Sequence, residues 1–407
     1  MKYIVIVADG MSGYPLEELG GKTTMEASRK PYMDALSQKG VIGLMQTVPD
    51  GLPVGSEVAN LALMGYDPEY YYSGRSPLEA ASIGVNMLDT DVAYRMNLVT
   101  LSDAEKYEDK VMLDYSADEI TTEEARVLVE YLKPYLETPE ISIYAGISYR
   151  HCLIWHDGER EKNLTQPHDI YGRVIGKYLM REGIGAKITD MMERSYDLLK
   201  DHPINKERVK RGLNPANSVW FWGGGTKTKL YPFEEEYGVK GAVISAVDLI
   251  KGLAICAGLK SIDVEGATGT VHTNFEGKAK AAIDALLSGY DFIYVHVEGP
   301  DESGHHGSIE DKIKSIEMID QKILGPIVET MRKKGIPFSV MLSPDHATPI
   351  VKRTHARDPV PFFIYRSTRE RGPGVYEYSE RGAARTGIFI DNGYTLIHKF
   401  LNNETIR

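Results

Sequence analysis

Three short apolar runs each end in an acid, and two of those acids are followed by histidines. Residues 3–8 lead into Asp9. Residues 292–297 lead through Glu298-Gly299-Pro300 into Asp301, with His305 four positions on. Residues 338–342 lead into Asp345-His346, with His355 nine positions after His346. Carboxylates and imidazoles together suit Mn²⁺, Zn²⁺, Co²⁺ or Fe better than Ca²⁺, which prefers oxygen alone. Three of each exceed what one catalytic ion can use while keeping positions open for substrate, so two ions are the natural division. A candidate nucleophile lies between the first two runs. Gly55-Ser56-Glu57-Val58-Ala59-Asn60 reads as a loop that becomes a helix at Ser56. A serine at that point commonly caps the helix, and the same helix end favours a bound phosphate. A hydroxyl attacks poorly until it loses its proton, and coordination to a metal can achieve that without a histidine base.

The elements that must carry these groups follow from their patterning. The three runs are β-branched and apolar throughout, as strands buried on both faces of a parallel sheet are. Helical patterns at 246–257, 276–287 and 309–334 lie between or after them. Such alternation implies an α/β fold, a mainly parallel sheet flanked by helices. Ligands in such sheets bind beyond the carboxyl ends of the strands, which is where the acids stand. The middle of the chain differs. From 102 to 213 it is more charged and rich in tyrosine, with no strand-then-acid unit. Helices are expected at 123–136 and 171–187, and a hairpin at 142–155. This segment reads as an inserted, smaller α/β domain, with 1–101 and 214–407 forming the discontinuous core. Residues 219–225 are expected to bring the chain back into that core, and Trp220 and Trp222, alternating on that strand, read as packing residues rather than a binding box.

The ordered set resembles a known family. Asp9-Gly10, Gly55-Ser56-Glu57 with Asn60, Asp301-Glu302-Ser303-Gly304-His305, and Asp345-His346 with His355 are similar to the cofactor-independent phosphoglycerate mutases. The likeness is to their archaeal-type branch, within the alkaline phosphatase superfamily, and it runs from Met1 to about Pro361. The resemblance implies that Asp301, His305 and His355 hold one metal, and that Asp9, Ser56, Asp345 and His346 hold the other. Manganese is the first choice, with zinc, cobalt or magnesium as alternatives, and no 2,3-bisphosphoglycerate is required. Ser56 would be phosphorylated while 3-phosphoglycerate and 2-phosphoglycerate interconvert, and closure of the inserted domain would keep water out. The resemblance also implies substrate contacts at Arg150 and His151, which match the family's Arg-His pair, and at Lys251 and Asn97. The chain departs from the family's expected Asp-Arg pair at Asp114-Tyr115. A missing guanidinium removes one bidentate carboxylate clamp.

Composition narrows the partners. The chain has 407 residues and a formal net charge of -11, which argues against nucleic acid as partner. No run approaches a membrane span or a signal peptide, so the cytoplasm is the expected compartment. The expected partner is a small phosphorylated hydroxy acid. Alternatives keep the metals and Ser56 but change the acceptor, to another small alcohol such as homoserine or to water in a phosphatase. A metal-stabilised scaffold is disfavoured, because a structural ion would leave no position open. The remaining histidines, among them His296 inside its strand and His168, read as hydrogen-bonded packing or surface residues.

Overall fold

The computed structural model describes residues 1–371, 374 and 377–406. They form two compact units, one of residues 1–72 and 229–407, the other of residues 73–228. No helix among the described residues is long and apolar enough to cross a membrane.

The larger unit is built on an eight-stranded sheet. Its strands are β1 (Lys2–Ala8), β2 (Val41–Met45), β8 (Gly241–Ile244), β9 (Lys260–Ile262), β10 (Phe292–Val297), β11 (Phe338–Ser343), β12 (Val360–Arg366) and β13 (Phe389–Ile390). Their order is β13-β2-β12-β11-β1-β10-β8-β9. β1 lies between β10 and β11 and is parallel to both. Among the described strands of this sheet, only β12 runs against the rest. The α/β expectation therefore holds. Ile4, Ile6, Val295, Val297, Val340 and Leu342 are fully buried, as the unbroken apolar runs require. Register sets the active edge: Ala8 pairs Val297, and Val7 pairs Ser343. Asp9, Asp301 and Asp345 thus leave the sheet at one level, on its carboxyl edge.

The smaller unit holds a five-stranded antiparallel sheet. Its strands are β3 (Val92–Leu101), β4 (Met112–Asp114), β5 (Ile141–Tyr144), β6 (Arg150–Trp155) and β7 (Ser218–Thr226). β3 is central, paired with β6, β7 and, at its end, β4. The helices Thr122–Leu136 and Gly183–Leu199 cover it with Leu128, Leu132, Ile188 and Met192. The compact units divide at 73 and 228, outside the expected limits of 102 and 213. The physical reason is pairing: β3 hydrogen-bonds both β6 and β7, and none of the three joins the eight-stranded sheet. Trp220 and Trp222 pack as expected, but inside this unit. The helix expected at 171–187 begins only at Gly183, because Gly172 and Gly183 take left-handed φ values of 70° and 56°.

Candidate active site

The turn after β1 is the hub. Gly10 has φ 62°, and a Cβ there would lie 2.7 Å from Asp301 Cα and 2.6 Å from Thr348 Oγ1. Only glycine satisfies both the dihedral and the packing. The Gly10 N–H donates to Asp345 Oδ1 at 3.1 Å. One residue thus sets Asp9, Asp301 and Asp345 against one another.

Side chains with ligand chemistry collect around that turn in two groups. Asp9, Asp345 and His346 form one, and Asp301, His346 and His355 the other, with ligand atoms within 4.8 Å in each. His305 joins the second, its Nε2 3.2 Å from Asp301 Oδ2 and 3.0 Å from His355 Nε2. All seven expected metal-site residues therefore lie together in the larger unit, with Ser56 Oγ 3.2 Å from His346 Nε2.

The imidazole tautomers follow from their partners. His305 Nδ1 lies 3.0 Å from the Arg353 carbonyl, and His355 Nδ1 3.0 Å from the Val54 carbonyl. A carbonyl can only accept, so both rings carry a proton on Nδ1 and turn Nε2 toward Asp301, where a cation would displace any second proton. Thr348 donates its hydroxyl proton to Asp301 Oδ1 and so accepts from His346 Nδ1 at 3.3 Å, which leaves His346 Nε2 bare. His305 and His355 Nε2, 3.0 Å apart beside Asp301, fit a cation in one group, and a buried Asp9 Oδ1 with no hydrogen-bond partner fits a cation in the other.

The electrostatics agree. Burial, then the charges of Asp345 and Asp301, push Asp9 well above the usual carboxylate range. Burial also opposes charge on Asp301, but hydrogen bonds from His305 and His355 hold it well below that range. Against burial, Asp301 raises His355 to about 9. Three neighbouring buried carboxylates cannot all ionise cheaply on their own, whereas divalent cations among them would reverse that balance.

Ser56 opens the helix Ser56–Leu63, but its cap is Gly55, so Ser56 is the first helical residue and not the N-cap expected. Its hydroxyl is therefore free of capping duty. Four residues on, Asn60 Nδ2 donates to the Ser56 carbonyl and to Asp345 Oδ2, both at 2.9 Å. Tyr294 donates its hydroxyl to Asn60 Oδ1, which fixes the amide orientation.

The expected substrate residues are less uniform. Lys251 belongs to the larger unit, where its Nζ pairs with Asp263 at 2.7 Å. Arg150, His151 and Asn97 belong to the smaller unit. There Asn97 is buried and committed: Oδ1 accepts from Arg95 Nε at 3.2 Å and Trp222 Nε1 at 3.0 Å, and Nδ2 donates to the Tyr115 carbonyl. Across the sheet position 97 pairs Trp220 of β7, and Trp222 reaches the Asn97 amide from two residues on. His151 is not cationic. Burial, then Arg95 and Arg150, lower it to about 3. Its Nδ1 accepts the Gly146 N–H, so its proton sits on Nε2, which is buried without a hydrogen-bond partner. Sequence reasoning missed Glu79, Arg75 and Arg95. Glu79 Oε1 takes Arg75 Nε at 2.9 Å and Arg95 Nη1. The signal was Arg95 in the middle of an apolar strand, where an ion must have a partner. Tyr115, where an arginine is expected, stacks 4.2 Å from the His168 ring.

The profile of a family described as 2,3-bisphosphoglycerate-independent phosphoglycerate mutase matches residues 37–205. A protein of that name from Methanosarcina barkeri is 47% identical over 398 residues, 98% of each chain. Another from Methanosarcina mazei is 48% identical over 398 residues, again 98% of each. The chain belongs to this family. The solved PH0037 protein from Pyrococcus horikoshii shares the family member's fold, with a TM-score of 0.80 and 28% identity over 100% of this chain and 98% of that one. A cofactor-independent phosphoglycerate mutase from Thermoplasma acidophilum has the same fold at a TM-score of 0.63 and 24% identity, covering 100% of both chains.

Proposed function

We propose that this chain interconverts 3-phosphoglycerate and 2-phosphoglycerate without 2,3-bisphosphoglycerate, through a phosphoserine at Ser56. The observation that carries the reading is the position of Ser56 Oγ, 3.2 Å from His346 Nε2, in a cluster of carboxylates and imidazoles. Asp9, Ser56, Asp345 and His346 would hold one divalent ion, and Asp301, His305 and His355 the other. Bound there, the ions would lower the cost of the Ser56 alkoxide and screen charge on the phosphoryl oxygens.

The chain's own groups supply position. Ser56 and Glu57 are the first two residues of their helix, so their N–H groups lie outside its internal ladder and can face a phosphoryl group. Asn60 keeps that helix in register with Asp345. In the first half-reaction the bond from Oγ to phosphorus forms and the bond from phosphorus to O3 breaks. Ser56 gives up one proton and glycerate O3 gains one. In the second half O2 loses its proton and attacks phosphorus, and Oγ leaves and is reprotonated. Both halves balance. Arg150, with His151 as a neutral donor from Nε2, is proposed to hold the substrate carboxylate, and the smaller unit is proposed to select the substrate.

The test is to supply 3-phosphoglycerate alone and follow 2-phosphoglycerate and free phosphate. The wild type should make 2-phosphoglycerate, and Ser56→Ala should make none while remaining folded. Wild-type release of phosphate with no 2-phosphoglycerate would make the chain a phosphatase.

A further inference from the structure

His346, held at Nδ1 by Thr348, presents a bare Nε2. His296, at the same sheet edge, has the opposite polarity. It stands on β10, where Val295 pairs Ile244 of β8, so Ser245 falls beside it. Ser245 Oγ accepts the Val247 N–H at 3.0 Å and lies 3.3 Å from His296 Nδ1. Its hydroxyl proton is thus available to Nδ1. On the other side of the ring, His296 Nε2 lies within ion-pair distance of Asp9 Oδ2, at 3.1 Å, and has no hydrogen-bond partner among the described residues. A bare Nε2 would set its lone pair against a carboxylate oxygen, whereas a protonated Nε2 gives that oxygen a donor. Asp9 therefore selects the Nε2–H tautomer, and the Ser245 hydroxyl can donate to Nδ1 to match it. Lys278 Nζ donates to the His296 carbonyl at 2.8 Å and pins the strand end that carries the ring.

We propose that His296 is a positioning residue for Asp9, donating from Nε2 to Oδ2 so that Oδ1 alone is offered to a divalent cation. The inference rests on the metal reading above. The order serine, histidine, aspartate matches a hydrolase triad, but the roles do not. Ser245 is buried and engaged by the backbone, so the relay orients a ligand and activates no nucleophile. Asp345 and Asp301 have their own holders, in Gly10 with Asn60 and in Thr348. His296 completes the set for Asp9.

Two measurements on the full chain test this. Long-range ¹H–¹⁵N spectra of the wild type should place the His296 proton on Nε2, and a proton on Nδ1 would overturn the proposal. Titration with Co²⁺, followed by its visible absorption, should show two ions in the wild type. His296→Leu should weaken one of them by roughly 10- to 100-fold, the usual effect of losing a group that orients a ligand. His296→Gln keeps an N–H near the Nε2 position and should recover most of that loss. Equal affinity in His296→Leu, or a His296→Gln variant as weak as His296→Leu, would overturn it. A wild type that binds no Co²⁺ would instead overturn the metal reading itself.

Discussion

Asn60 shows how single residues divide the labour here. Its one amide group bonds the Ser56 carbonyl and Asp345 Oδ2. Asn60→Ala leaves a buried carboxylate oxygen without that donor, a loss of about 1–3 kcal/mol. Activity should fall at least tenfold with the mutant still folded, and thermal unfolding together with turnover would check both. Full activity would mean that the nucleophile helix needs no such tie. His151 offers a pH prediction. Its folded pKa, about 3, lies below the ordinary 6.5, so the unfolded chain takes up the proton first as pH falls. Its contribution is complete above about 6.5 and is lost as pH drops towards 3, at up to about 1.4 kcal/mol per pH unit. Asn at 151 keeps an acceptor for the Gly146 N–H but has no proton to bind. His151→Asn should flatten the loss of stability between pH 6.5 and 4.5, measured by denaturant unfolding, and an unchanged slope would contradict a buried neutral His151. Asp9, Ser56, Asp301, His305, Asp345 and His346 were legible because they stand at or just beyond strand and helix ends, where residue type signals chemistry, and His355 because it follows them in the loop before β12. His296 and Arg95 were not, since inside an apolar strand a polar residue reads the same whether it packs or positions.

At the level of elements, the strands of the larger unit were readable because unbroken β-branched runs have few other uses. The turn after β1 was readable only as Asp-Gly, and its importance lies in contacts distant in sequence. Gly10→Ala would force a methyl into Asp301 and Thr348 and strain a left-handed dihedral. Both ligand groups should be displaced, with stability down by more than 1 kcal/mol and activity lost, as calorimetry and assay would show. A Gly10→Ala protein with normal metal content and rate would contradict the hub. β3 and β7 could not be assigned from their patterns. A buried apolar strand does not state which sheet it joins, and pairing alone put them in the smaller unit. The helix Gly183–Leu199 was misplaced because glycine breaks were outweighed by the apolar periodicity around them.

At the scale of the molecule, each unit has its own core and its own chemistry. The larger one gathers carboxylates, imidazoles and the serine. The smaller one gathers guanidiniums around Glu79, with His151 and His168 held neutral by burial and the neighbouring arginines. That separation was visible in the sequence as a change in charge and tyrosine content, although the boundaries were not. The family relationship covers nearly the whole chain, both units included. The central claim is that Ser56 carries the phosphoryl group in transit. It is tested by quenching the metal-loaded protein in acid during turnover of 3-phosphoglycerate and mapping phosphorylation by peptide mass spectrometry. The account predicts a phosphoryl group on Ser56, absent without substrate; turnover to 2-phosphoglycerate with Ser56 never modified, or with the phosphoryl group on another residue, would contradict it.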